Sequence, residues 1–115
     1  MINVLYIVNE SEAGGAAQSL LDMLTVGRKR ICAVVIIPSE GSIEERLQQM
    51  NIDYYVVPFK TDHRKIGTHT TEETDTVFAS NYAAALKLQD IIKQNKIELI
   101  HTNSSVSNVG AIAAL

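Results

Sequence analysis

Residues 2–8, INVLYIV, are apolar and rich in β-branched side chains, interrupted only by Asn3. A run without alternation predicts a strand covered on both faces, as in a parallel sheet. Over 16–26 the period changes. Ala17, Leu20, Leu21 and Leu24 recur at i, i+3, i+4 and i+7, which is one buried face of a helix, and Gly27 offers its stop. CAVVII at 32–37 is a second buried strand, closed by Pro38. GSIEERLQQMN at 41–51 reads as a helix with Ile43, Leu47 and Met50 inward. Ser42 and Glu45 have the spacing of a capping box, and Asn51 can take the left-handed stop. DYYVVP at 53–58 is a third strand. Residues 81–95 return to helical period through Ala85, Leu88, Ile91 and Ile92, with Asn95 as the stop. IELIHT at 97–102 is a fourth strand, and Ser104 or Ser105 can cap a last helix through Val109, Ile112 and Ala113.

Strands alternating with helices imply right-handed βαβ units. The expected fold is α/β: a Rossmann-like parallel sheet in the order 3-2-1-4 with helices on both faces. One stretch resists this scheme. Residues 59–80, FKTDHRKIGTHTTEETDTVFAS, are too long and polar for a routine connection and are expected to form a functional loop. The chain also stops at Leu115 without a helix stop signal, so a truncated half of a larger fold is expected.

At 115 residues the chain fits one small domain. Its net charge of −3 leaves no basic stripe for nucleic acid. The one basic cluster, Arg28, Lys29 and Arg30, falls between a helix and a strand, where a solvated connection accounts for it. The single cysteine, Cys32, opens an apolar run and is expected to be buried and inert. No apolar stretch is long enough to span a bilayer.

In open α/β sheets ligands gather at the carboxyl ends of strands, where the strand order reverses. Here that point lies between strands one and four. Gly14 and Gly15 follow strand one. They either let a ligand approach bare backbone at a helix N-terminus or serve a turn that needs positive φ. No G-x-G-x-x-G is present, so a dinucleotide site is not indicated. His101, Asn103, Ser104 and Ser105 end strand four. Their donors and acceptors suit sugar hydroxyls or phosphate, although serines there also cap helices and a lone histidine ending a strand is commonly structural. His63 and His69 share the long segment with Asp62, Glu72, Glu73 and Asp75, but without ordered ligand spacing; no metal site is expected.

VLYIVNESEAGGAAQSLLDML, VVIIPSEGSIEERLQQMNIDYYVVPF and KIELIHTNSSVSNVGAIAAL together resemble the N-terminal domain of glycosyltransferase family four, retaining enzymes of the GT-B fold. The resemblance spans residues 1–115 and rests on the glycine pair, the PSEGSIEERL connection and HTNSS. It implies the acceptor-side half of a two-domain enzyme whose missing half holds most of a nucleotide-sugar donor. It implies that Gly14, Gly15 and Ala16 lie near the donor phosphates and acceptor, and that His101, Asn103, Ser104 and Ser105 face the acceptor. No metal or cofactor is implied; the nucleotide sugar is a substrate. The acceptor class implied is a glycan or lipid-linked glycan, in cell-surface polysaccharide synthesis, with a cytoplasmic location at the inner membrane face. Two departures stand out. Many members end strand four with H-x-H, where this chain has His101-Thr102-Asn103; asparagine binds a sugar but is no acid. Many follow the glycines with Ala-Glu-Arg, where this chain has Ala16-Ala17-Gln18, losing a charge pair.

A phosphoacceptor receiver domain is disfavoured because strand three ends Val56-Val57-Pro58 without an aspartate, and a nicotinamide dehydrogenase because its fingerprint is missing. The remaining rival is a free-standing Rossmann-like binding domain without catalysis. A sheet that ends at strand four exposes an edge, and unpaired edges recruit strands, so self-association through strand four is expected.

Overall fold

A computed structural model describes residues 1–12, 14–59, 71–102 and 113–114, with only the backbone for 71–78 and 80. The elements run β1 (Ile2–Ile7), α1 (Gly15–Gly27), β2 (Ile31–Ile37), α2 (Ile43–Gln49), β3 (Asp53–Val56), α3 (Thr71–Gln94) and β4 (Leu99–Thr102). All strand pairs are parallel, in the expected order β3-β2-β1-β4.

Each apolar run divides its residues between two cores, because neighbouring side chains leave a strand on opposite faces. Val4, Tyr6 and Val8 join Val35 and Ile37 beneath Ala17, Leu20, Leu21 and Leu24 of α1 and Ile43 and Leu47 of α2. Leu5, Ile7, Val34 and Ile36 form the other face, with Ala84, Ala85, Leu88 and Ile91 of α3. The placement follows from crossover handedness. The steps β1→β2→β3 run one way and put α1 and α2 on one face. The return from β3 to β4 runs the other way and puts α3 behind. Ala113 is buried in the α3-side core, where Gln89 donates to its carbonyl at 3.3 Å; Val109 and Ile112 lie outside the described residues.

β4 is covered on one face only among the described residues. Ile100 packs into the α3-side core, whereas Leu99, on the α1 side, is 56% exposed. Asn3, the polar break in the first run, anchors this edge. Its carbonyl accepts from the Glu98 N–H at 2.8 Å and its Nδ2 donates to the Lys96 carbonyl at 3.1 Å.

Several expectations need correction. The helix expected from residue 81 begins at Thr71, so residues 71–80 are helical rather than part of a loop; residues 60–70, with His63 and His69, lie outside the described residues. The left-handed stop after α3 is Lys96 (φ 52), not Asn95, while Asn51 (φ 55) takes the conformation expected of it. Asn95 instead donates to the Ile91 carbonyl at 3.0 Å. Cys32 is exposed, not buried, because it sits at the start of β2, ahead of the stretch roofed by helices. Ser42 makes no side-chain cap bond to α2. Its backbone is already helical, and Glu44 rather than Glu45 reaches back, accepting from the Gly41 N–H at 3.2 Å.

Candidate functional site

The carboxyl ends of β1 and β2 carry two loops that are stapled together. Ser11, only 9% exposed, accepts at Oγ from the Ser39 N–H at 3.1 Å, and its Oγ lies 2.8 Å from the Ser39 Oγ. Its carbonyl accepts from the Ile43 N–H at 3.1 Å. Glu12 Oε2 accepts from the Ser42 N–H at 3.3 Å. This seam needs Gly41: a Cβ there would fall on the Ser11 carbonyl group, 2.6 Å from its carbon. The sequence signal for Gly41 was only a glycine before a helix.

Gly14 and Gly15 sit on this scaffold for a different reason. Gly14 is the N-cap of α1 with φ −100° and ψ −167°, an extended conformation open to any residue, and Gly15 is the first helical residue. A positive-φ turn therefore does not account for the pair. A Cβ on Gly15 would meet nothing within 4 Å, and one on Gly14 would meet only the flexible Glu10 carboxylate, at 2.9 Å. The first turn of α1 carries no acidic residue of its own, and the nearby carboxylate is that of Glu10, beside the N-cap Gly14. Ala16 and Ala17 continue the helix; Ala17 is buried beneath it. Gln18, at the position of the arginine in Ala-Glu-Arg, bridges the helices: its Nε2 donates to Asp22 Oδ1 at 2.9 Å and its Oε1 accepts from Arg46 Nη1 at 3.1 Å.

Asn9, just past the end of β1, was missed as a site residue. Its Oδ1 and Nδ2 are both shut off from solvent, and neither has a hydrogen-bond partner among the described residues. Native proteins satisfy nearly all such groups, so this amide stands out.

His101 lies on the neighbouring strand. It pairs in register with Tyr6, and the rings pack at 5.3 Å with a 45° tilt. Tyr6 is three residues before Asn9, so His101 sits about 10 Å below that level along the strand. Burial raises the Tyr6 phenol above its usual 10.0. Asn103, Ser104 and Ser105 lie outside the described residues. Among the described residues no group of three His, Cys, Asp or Glu could hold a metal ion, and no helix is long and apolar enough to cross a membrane. A pocket of about 220 Å³, lined by Leu24, Ile31, Cys32 and Asp53, lies at the opposite, amino end of the sheet. It is below the usual volume of a small-molecule site.

No protein-family model matches the sequence, and no curated protein sequence is significantly similar to it. Solved structures do share the fold. Anabaena Alr3699/HepE in complex with UDP is similar with a TM-score of 0.67 and 21% identity, over 98% of this chain and 26% of that one. Acinetobacter baumannii MurG is similar with a TM-score of 0.69 and 16% identity, over 99% of this chain and 32% of that one. A glycosyltransferase from Rickettsia africae gives 0.64 and 13%, over 98% and 26%. The chain therefore spans about a quarter to a third of the length of these structures. At these identities the likeness establishes the Rossmann-like α/β fold, with one solved glycosyltransferase among the chains that share it.

Proposed function

We propose that this chain is the acceptor-side half of a nucleotide-sugar glycosyltransferase of the two-domain GT-B kind, retaining in outcome and serving cell-surface polysaccharide synthesis at the cytoplasmic membrane face. The observation that carries the reading is the Gly14–Gly15 pair. The fold demands neither glycine by backbone angle, and Gly15 opens onto free space at the first residue of α1. A bare backbone at that place suits a ligand that must come close. Shared architecture with UDP-bound Alr3699/HepE and with a glycosyltransferase supports it.

In this reading the donor's anomeric carbon sits above the β1–α1 loop. Its bond to the diphosphate oxygen breaks, a bond to the acceptor oxygen forms on the same face, and the acceptor proton leaves with the diphosphate. The loop N–H groups and the positive end of α1 favour the charge that develops on the leaving group. Gly14, Gly15 and Ala16 serve that junction, while His101, with Asn103, Ser104 and Ser105 beyond it, faces the acceptor. No metal or cofactor takes part. In this reading residues 1–115 by themselves transfer nothing, because transfer also takes the donor-binding half.

The test is the reading frame beyond residue 115. A second Rossmann-like pattern with an E-x7-E, and sugar transfer by the longer protein, support the proposal. A stop codon there removes catalysis and leaves a free-standing binding domain.

A further inference from the structure

The proposed function leaves open which chemical group of a ligand meets this chain, and Asn9 addresses that. A carboxamide buried without a partner is unfavourable to the folded chain, so a group that fills its hydrogen-bonding capacity on binding gains more than it would in water. Asn9 presents one acceptor and one N–H₂ donor from the same planar group. A partner that both donates and accepts fits it, which is the chemistry of a hydroxyl or of two neighbouring hydroxyls.

We infer that Asn9 is a sugar-hydroxyl contact, its carboxamide accepting from and donating to ring hydroxyls. This rests on the glycosyltransferase reading and assigns a role within its site. The hydroxyls could belong to the donor's sugar or to a glycan acceptor.

The experiment uses the whole 115-residue chain, labelled with ¹⁵N, and follows the Asn9 side-chain N–H₂ pair and the Gly14 and Gly15 amides by NMR. The probes are UDP, UDP-glucose and maltose. Movement of the Asn9 pair with UDP-glucose but not UDP supports the inference with a donor sugar as source; movement with maltose supports it with a glycan as source. Equal movement with UDP and UDP-glucose, or movement of the glycine amides alone, overturns it while leaving the site reading intact. No movement anywhere overturns the inference, while the glycosyltransferase reading still stands or falls on the reading frame beyond residue 115. A second measurement guards the premise. Asn9→Leu, of matching shape, should raise the apo melting temperature by about 4 °C or more, since an unsatisfied buried amide is lost, and should abolish the sugar-dependent shifts of the glycine amides. A lowered melting temperature would mean the amide is already satisfied in solution, and would overturn the inference.

Discussion

Gly41→Ala tests whether the two loops above the sheet are one unit. The new Cβ would lie 2.6 Å from the Ser11 carbonyl carbon and 2.8 Å from the Ser11 Cβ. Carbon contacts are comfortable only near 3.5–4.0 Å, so the loops must part by about 1 Å. Both partners are backbone or nearly so, and no flexible side-chain end can yield instead. Parting by that much lengthens the Ile43 N–H to Ser11 carbonyl bond and the Ser39 N–H to Ser11 Oγ bond, both 3.1 Å, beyond hydrogen-bond range. If the loops hold, the chain bears overpacking of about 1–3 kcal/mol. If they part, it loses two or three bonds of about 0.5–1.5 kcal/mol each, one from the buried Ser11 hydroxyl. The two routes bracket about 1–4 kcal/mol, centred on about 2–3 kcal/mol. With a urea m-value of about 1–3 kcal/mol/M, the unfolding midpoint should fall by about 1–3 M with unchanged slope. A midpoint within about 0.3 M of the parent's would refute the seam as a structural constraint.

Gly15→Ala should act oppositely. It adds a methyl to open space at the first helical residue, so stability should rise by about 0.5–1 kcal/mol in thermal melts, while UDP-glucose binding weakens if ligand approaches that backbone; undiminished binding would remove the carrying argument for the site. Because burial raises the Tyr6 phenol above 10.0, the folded chain keeps a proton that the unfolded chain releases. That contribution is intact below about pH 10 and is lost as pH rises past it. Tyr6→Phe should therefore flatten the decline in urea midpoint as pH rises above about 10; an equally steep decline there would locate the titration elsewhere. Self-association through β4 should appear in sedimentation velocity as a concentration-dependent dimer that Leu99→Lys abolishes, since a charge on an exposed edge opposes strand pairing. A parent chain that stays monomeric at high concentration would dismiss it.

The fold was legible wherever apolar period was strong. VVII at 34–37 is buried on both faces, as its unbroken apolar run predicts, and Ala17, Leu20, Leu21 and Leu24 form the buried face of α1; crossover handedness then ordered the sheet. The start of α3 was not legible, because TEETDTVFAS carries little apolar periodicity to set against its polarity. Cys32 misled because a residue can open an apolar run and still stand ahead of the roofing helices. The capping box misled by one residue, since Ser42 spends its position inside the first helical turn and leaves the reach-back to Glu44. At the site, the glycine pair was visible as composition, but only its ordinary φ and open surroundings separate ligand approach from turn geometry. Asn9 gave no signal at all, because an orphaned amide is a property of what surrounds it. Nor could Gly41 announce the Ser11 carbonyl 30 residues away in the chain.

The bond between Asn3 and Glu98 joins residues 95 apart, and that span is also a time. At about 5–20 residues per second of synthesis, β4 emerges about 5–20 s after β1. β2 follows β1 far sooner and takes one of its sides. Until Leu99 and its neighbours exist, the strand that ends as the interior of the sheet spends its early life as an open border, apolar and unpaired, and the newborn chain on the ribosome is then most exposed to pairing with a stranger.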